Sequence, residues 1–500
     1  MTTMKKLASL VLAILMLGMV TFASATDLGN SFTITGPDNS GHTYEVYQIF
    51  TGSLSEKDNI LVLSDVKWGD NGTGTKDEPV AEAVLEELKN ASALATDAEK
   101  LEVITRYVDL TKAPFGTVDS GATLPDVPAG YYLIKDTDNS LTGKYESYTT
   151  YIVEIVDDVA INPKSKLPEM FKKLKDINDS VSSTAMTEWQ DTADWDIGDQ
   201  VPFLLQGTVA ENIDEYTVYK YTFHDKMCEG LDYVDGSAVF SIVNGDSTFK
   251  IEDGISVVVP GTDDCTVEFV IDDLLKYVDD EGNPIVNKNS KITVEYKATL
   301  NENAKIGAEG NPNEARLEFS NNPNQEDGSE TGMTPWDQVI VYTFAVEVDK
   351  VDQDNKPLDG AGFTLYKKDE NGTYNKIGDE VMVVADEERF IATWKGLDDG
   401  DYRLEETTTP LGYNTVAPID FTVTAEHGEQ ENALKLISLT GDALTGTVET
   451  GVLSIAIQNK TGTELPTTGG IGTTIFYVVG GVLVLLAVVL LVTKRRVGEN

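Results

Sequence analysis

Only two cysteines, Cys228 and Cys265, occur in 500 residues, so no disulfide framework holds this chain together. In an exported protein they leave two readings open, one disulfide or two thiols. Histidine is nearly as scarce. His42, His224 and His427 are scattered, none at a metal-ligand spacing, and they read as surface or structural residues. The chain also lacks a glycine-rich phosphate loop and a Gly-x-Ser-x-Gly elbow. No cofactor, no metal and no conventional enzyme class is implied. Basic charge is short as well: 38 Lys and Arg face 84 Asp and Glu, a net −46. Such a surface argues against nucleic acid or an anionic membrane as partner. With 41% hydrophobic residues and only short charge blocks, the chain reads as a folded acidic protein rather than a disordered tail.

Long uncharged runs are confined to the two ends. Lys5 and Lys6 precede an apolar stretch from Leu7 to Val20, and Ala23 and Ala25 supply small residues after it. This pattern predicts a secretory signal over residues 1–25, cut after Ala25. At the other end no charge occurs from Ile471 to Val492, and Lys494, Arg495 and Arg496 follow. A helix of about 20 apolar residues spans a bilayer core, and the cations fix its cytoplasmic side. Everything between the two segments is expected to be exported.

The body is rich in short alternating segments such as VDGSAVFSIV, KITVEYKATL and QVIVYTFAVEV, separated by turn signals such as DDEGNP and DENGT. One stretch differs: Ala81, Val84, Leu85 and Leu88 recur at helical spacing. The polar segment GNPNEARLEFSNNPNQEDGSETGMTP has Ala315, Leu317 and Phe319 in alternation, so it predicts a strand followed by a loop. Composition shifts near Asn162–Pro168 and Val341–Val348 suggest boundaries. The predicted fold is mainly β: tandem Ig-like β-sandwich domains over 166–341 and 342–462, after a mixed α/β domain over 26–165.

Residues 463–500 then acquire a meaning. Leu465-Pro466-Thr467-Thr468-Gly469, an apolar helix and a basic tail together resemble the cell-wall sorting signal of Gram-positive surface proteins. The resemblance implies that a sortase cysteine cleaves Thr468–Gly469 and passes Thr468 to an amine, with peptidoglycan as the final anchor. Pro466 would hold an extended, kinked segment suited to a groove, and Gly469 would let a nucleophile approach.

FAVEVDKVDQDNKPLDGAGFTLYKKDENG, WKGLDDGDYRLEETTTPLGYN and GVLSIAIQNKTG resemble the B-type repeat of collagen-binding surface proteins. That likeness implies an isopeptide bond between Lys350 and Asn459, assisted by Glu406. Strand parity points the same way. Val346, Val348 and Lys350 share one face, as do Ile455, Ile457 and Asn459. Desolvation pushes an amine's pKa down and a carboxyl's up. A neutral amine is a nucleophile, and a protonated carboxyl can stabilise the charge developing on an amide oxygen. Ammonia is the leaving group.

LPEMFKKLKDIND, DWDIGDQVPFLLQGTV, YKYTFHDKMCEGLDY and NPNEARLEFSNNPN resemble the second domain of isopeptide-forming fimbrial backbone subunits. Met170, Lys172 and Leu174 share a face, which makes Lys172 the expected linking lysine, with Lys173 as the alternative. The likeness makes Asp225 the promoting acid. Asn313 and Asn321 both have the acceptor's parity, and Asn313 is preferred because it begins the Asn-x-Ala-x-Leu pattern.

Between the first two domains stands Ile161-Asn162-Pro163-Lys164, a partial match to the pilin motif whose lysine attacks the sortase acyl-enzyme. Lys164 is the expected intersubunit residue and Lys166 its rival. The whole chain thus resembles the major, or backbone, pilin of sortase-assembled Gram-positive pili. Its partners would be sortase, identical subunits, peptidoglycan, accessory pilins and surface ligands in adhesion. The only chemistry expected of it is autocatalytic cross-linking. A monomeric wall-anchored adhesin, or a minor pilin at tip or base, is the competing reading. A wall-anchored hydrolase using a carboxylate pair is a more distant one.

Overall fold

The strand Lys291–Leu300 buries Ile292, Val294, Tyr296, Ala298 and Leu300 and turns Lys291, Glu295 and Lys297 to solvent. This period-2 partition between core and water recurs through the body and makes the protein predominantly β. The computed structural model describes residues 31–36, 41–57, 60–91, 97–161, 167–462 and 478–486. The secretory signal, Lys164, Lys166 and the Leu465–Gly469 motif lie outside the described residues. So does most of the predicted membrane run. A helix covers 478–486, and among the described residues no helix is long and apolar enough to cross a membrane.

The N-terminal part is mixed, as its helical periodicity predicts. A five-stranded sheet is built on the long strand Thr43–Lys57, which pairs with Ile60–Trp68, Gly116–Asp119 and Gly130–Asp136. A three-stranded sheet centres on Ser31–Thr35. The helices Glu82–Ala91 and Asp97–Thr105 lie against the larger sheet, where Leu88 and Ile104 join Ile49, Phe50 and Leu63 in one core.

Residues 170–341 form a sandwich. One sheet contains Met170–Leu174, Gln200–Thr208 and Lys291–Leu300; the other contains Tyr221–Met227, Val267–Ile271, Asn311–Ser320 and Asp337–Tyr342. Phe203, Phe223, Phe240 and Phe269 fill the space between the sheets, each burial worth roughly 1.5–3 kcal/mol. The strand predicted from Ala315, Leu317 and Phe319 is present as Asn311–Ser320. A second sandwich, with a separate core from Tyr342 to Ile457, pairs its first strand Phe344–Val351 in parallel with its last, Val452–Gln458.

Polar joints connect the three bodies. The N-terminal part grips the middle sandwich through residues 141–148: Asn321 Nδ2 donates to Leu141 O at 3.2 Å and Glu146 O at 3.0 Å, and Tyr148 N donates to Asn321 O at 2.7 Å. The two sandwiches meet through backbone amides. Asp398 N donates to Asp196 Oδ1 at 2.9 Å, Asp399 N to Asp194 Oδ1 at 2.6 Å and Ile197 N to Gly396 O at 2.9 Å. Two side-chain cations sit in that acidic seam. Lys367 Nζ reaches Asp179, Asp196 and Asp398, while His427 Nε2 lies 2.9 Å from Asp194 and 3.5 Å from Asp176.

Candidate functional site

In the middle sandwich, Lys172 lies on the strand Met170–Leu174 with its side chain inward and fully buried. Asp225 and Asn313, also fully buried, face it from the opposite sheet, where Asp225 pairs with Ala315 and Met227 with Asn313. Lys172 Nζ donates to Asp225 Oδ2 and, at 2.8 Å, to the Tyr296 hydroxyl. Asn313 Nδ2 donates to that same hydroxyl at 2.9 Å. Burial pushes the lysine down and the aspartic acid up from their ordinary values, which favours a neutral amine beside a neutral acid. A neutral amine has two N–H groups. With both engaged on Asp225 and Tyr296, the neutral form would keep its lone pair for attack.

Asp225 Oδ2 accepts from both Lys172 and Tyr296. Its Oδ1, like Asn313 Oδ1, is buried without a hydrogen-bond partner. Each is a buried acceptor left unsatisfied, and a proton held on the carboxyl is the kind of donor that polarises an amide carbonyl.

The C-terminal sandwich holds a second set. Lys350 is fully buried, and its Nζ donates to Ile457 O at 2.8 Å and Val351 O at 3.2 Å. Desolvation lowers its pKa to about 8, against the opposing pull of Glu406. Asn459 is fully buried just past the parallel partner strand; its Nδ2 donates to Glu406 Oε2 at 3.0 Å and Asn414 O at 2.8 Å. Glu406 comes from the facing sheet on the strand Gly400–Thr408. Again Glu406 Oε1 and Asn459 Oδ1 are buried without partners.

The fold engages the alternative residues elsewhere. Lys173 points outward and pairs with Asp191, and Asn321 is spent on the joint with residues 141–148. Tyr296 was not singled out from the sequence. The available signal was its parity with Ile292 and Val294, because a core-facing tyrosine needs a partner for its hydroxyl.

The fold decides between the two readings of the cysteines. Cys228 and Cys265 are both free thiols. The ladder between their strands ends at Asp225 and Val267, short of both cysteines. Cys228 Sγ turns instead toward Asn311 Oδ1 at 4.0 Å, and a disulfide needs both side chains on converging vectors. The three histidines each lie against a carboxyl group: His42 against Asp136, His224 against Glu318 and His427 against Asp194.

Comparison with known proteins follows the same divisions. Residues 197–323 match the Gram-positive pilin backbone subunit 2, Cna-B-like domain, residues 344–435 the prealbumin-like fold domain, and residues 457–497 the LPXTG cell wall anchor motif. The trypsin-resistant surface T6 protein of Streptococcus pyogenes serotype M6 is 25% identical over 407 residues, 67% of this chain and 70% of that protein. The solved T6 backbone pilin of serotype M6 S. pyogenes superposes with TM-score 0.50 at 17% identity, over 88% of this chain and 100% of the other. The Corynebacterium diphtheriae major pilin SpaA gives 0.47 at 14% identity, over 86% and 100%.

Proposed function

We propose that this chain, a homologue of Gram-positive backbone pilins that carries an LPXTG wall anchor, is the major shaft subunit of a covalent pilus with a bond of its own inside each sandwich. It is a wall-anchored surface protein and a structural subunit, not an enzyme. The anchor and the backbone-pilin domain imply sortase and other pilin subunits as partners. In the finer reading, sortase cleaves Thr468–Gly469 and joins Thr468 to Lys164 of the next subunit. In sequence, Lys164 falls between the described residues 161 and 167. Head-to-tail joining of this kind does not close, so it yields a filament, and the terminal subunit passes to peptidoglycan.

Within the subunit, the reading rests above all on one observation: two fully buried lysines, each shifted by burial toward its neutral form, lie in carboxyl- and asparagine-containing pockets. Lys172 would condense with Asn313 under Asp225, and Lys350 with Asn459 under Glu406, each releasing ammonia. Condensation explains the otherwise costly burial of amine and acid. The first bond would tie opposite sheets of the middle sandwich. The second would tie the first and last strands of the C-terminal one, so neither domain could extend when its ends are pulled.

Blotting wall extracts after Lys164→Ala tests the polymer. The high-mass ladder is expected to collapse to monomer. A ladder that persists in the Lys164→Ala, Lys166→Ala double variant would show another acceptor and end this assignment, and the absence of any ladder from the parent would favour the monomeric adhesin.

A further inference from the structure

The hydroxyl of Tyr296 touches both nitrogens that the proposed middle-domain condensation must exchange: Lys172 Nζ at 2.8 Å and Asn313 Nδ2 at 2.9 Å. It donates its own proton to Asp225 Oδ2 at 2.7 Å. A phenol has one donor and two acceptor positions, and here all three are filled. We infer that Tyr296 is a catalytic residue of the Lys172–Asn313 linkage, carrying a proton from the attacking nitrogen to the leaving one. This inference rests on the cross-link reading above and assigns a step within it.

The reaction requires such a carrier. The Lys172 Nζ lone pair attacks Asn313 Cγ, and the carbonyl electrons move onto Oδ1, stabilised by the Asp225 proton. Nζ must then shed one proton. The Cγ–Nδ2 bond breaks with its electron pair on Nδ2, which must gain one proton to leave as ammonia. Tyr296 Oη can accept the first proton while its own O–H swings from Asp225 toward Nδ2 and delivers the second. Tyrosine and aspartic acid end as they began, and the balance is Lys–NH2 plus Asn–CONH2 giving the secondary amide and NH3. A one-residue bridge suits the site because it is dry. Lys172, Asp225 and Asn313 are fully buried and Tyr296 is nearly so, with its ring stacked on Phe203 at 5.4 Å and against Phe269 at 4.9 Å. Burial and the neighbouring Asp225 also hold the phenol far above its ordinary value, so it stays protonated and passes protons through without accumulating as phenolate.

The C-terminal site is built differently. Asn459 Nδ2 bonds to Glu406 and a backbone carbonyl, and Lys350 Nζ to two backbone carbonyls, so no tyrosine hydroxyl bridges the two nitrogens. It therefore serves as an internal control in the same molecule.

The test is Tyr296→Phe in the full ectodomain, followed by intact mass from early after synthesis and by peptide mapping. The parent is expected to lose two ammonias. The variant is expected to form the Lys350–Asn459 bond at the parent's rate, with the Lys172–Asn313 bond slowed on the order of 10²–10⁴-fold. If both bonds form at the parent's rate, the tyrosine has no catalytic role. A structural role is separated by comparing amide exchange along Lys291–Leu300 in Asn313→Ala and in Asn313→Ala, Tyr296→Phe, neither of which can link. Equal protection supports the shuttle; lost protection in the double variant overturns it. Failure to find a Lys172–Asn313 peptide in the parent is a different result, and removes the cross-link itself.

Discussion

Tyr296 and Asp225 stand 2.7 Å apart, hydroxyl to carboxyl, on opposite sheets of the middle sandwich. Lys172 donates to both of them. A buried lysine with these neighbours could be an ion pair kept for fold specificity or a reactant waiting for its amide. Burial decides the direction: both partners shift toward their neutral forms, and a neutral amine with a free lone pair is a nucleophile. Lys367 is the contrast within the same chain. Asp398 and Asp196 beside it raise its pKa against desolvation, so it remains an ion and a structural one.

Intact mass reads both bonds at once. The parent ectodomain is expected about 34 Da below its sequence mass, about 17 Da per ammonia. Glu406→Ala and Asp225→Ala should each recover one of those losses. Either variant keeping the parent's full deficit, each taken from its own sequence mass, would show that the wrong acid had been assigned.

Stability of the middle sandwich should fall in Asn313→Ala. By analogy with a covalent loop of ~100 residues, the link contributes on the order of 4–5 kcal/mol. For a domain of this size that is a loss of roughly 10–20 °C in Tm. Calorimetry should show the drop in one transition, with the C-terminal transition unmoved.

The unlinked C-terminal sandwich should respond to pH through Lys350. Its folded-state pKa is lowered from 10.5 to about 8, mainly by desolvation. The folded state therefore favours the neutral amine. This contribution is complete above 10.5 and is lost as pH falls through about 8. In Asn459→Ala, which cannot link, thermal stability relative to the parent should rise between those values. In the parent the amine is an amide, so a parent that shows the same rise would contradict the linkage.

The seam between the two sandwiches should loosen in alkali. Asp176 and Asp194 raise the His427 pKa from 6.5 to about 9 against desolvation. Its stabilisation is present below 6.5 and lost as pH rises through about 9. Asp199 and Asp399, raised by burial to about 6 and about 7, act with the same sign at lower pH. Exchange of the Asp398 and Asp399 amides, corrected for intrinsic rate, should quicken by up to about tenfold per pH unit across the histidine's window. In His427→Gln that dependence should vanish. Unchanged protection in both proteins would mean that the seam holds without the imidazolium.

Much of this was written along the chain. The alternation Val346, Val348, Lys350 announces an inward lysine, and Met170, Lys172, Leu174 another, because a strand's side-chain period is fixed at two. The Leu465–Gly469 motif and the helical stretch around Leu88 are equally local. Parity could not choose between Asn313 and Asn321, which share it. Nor could it reveal that the Cys228 thiol turns toward Asn311 and that both cysteines stay free.

What the sequence determined by itself is which residues face inward, since that depends only on neighbours along a strand. Which inward polar groups meet was decided by the tertiary structure. The stacking of one sheet on the other sets Asp225 and Asn313 against Lys172 and Tyr296, and the docking of two sandwiches gathers Asp194, Asp196, Asp398 and His427 into one seam. Those distances are set by packing between segments up to hundreds of residues apart, and no periodicity along the chain encodes them.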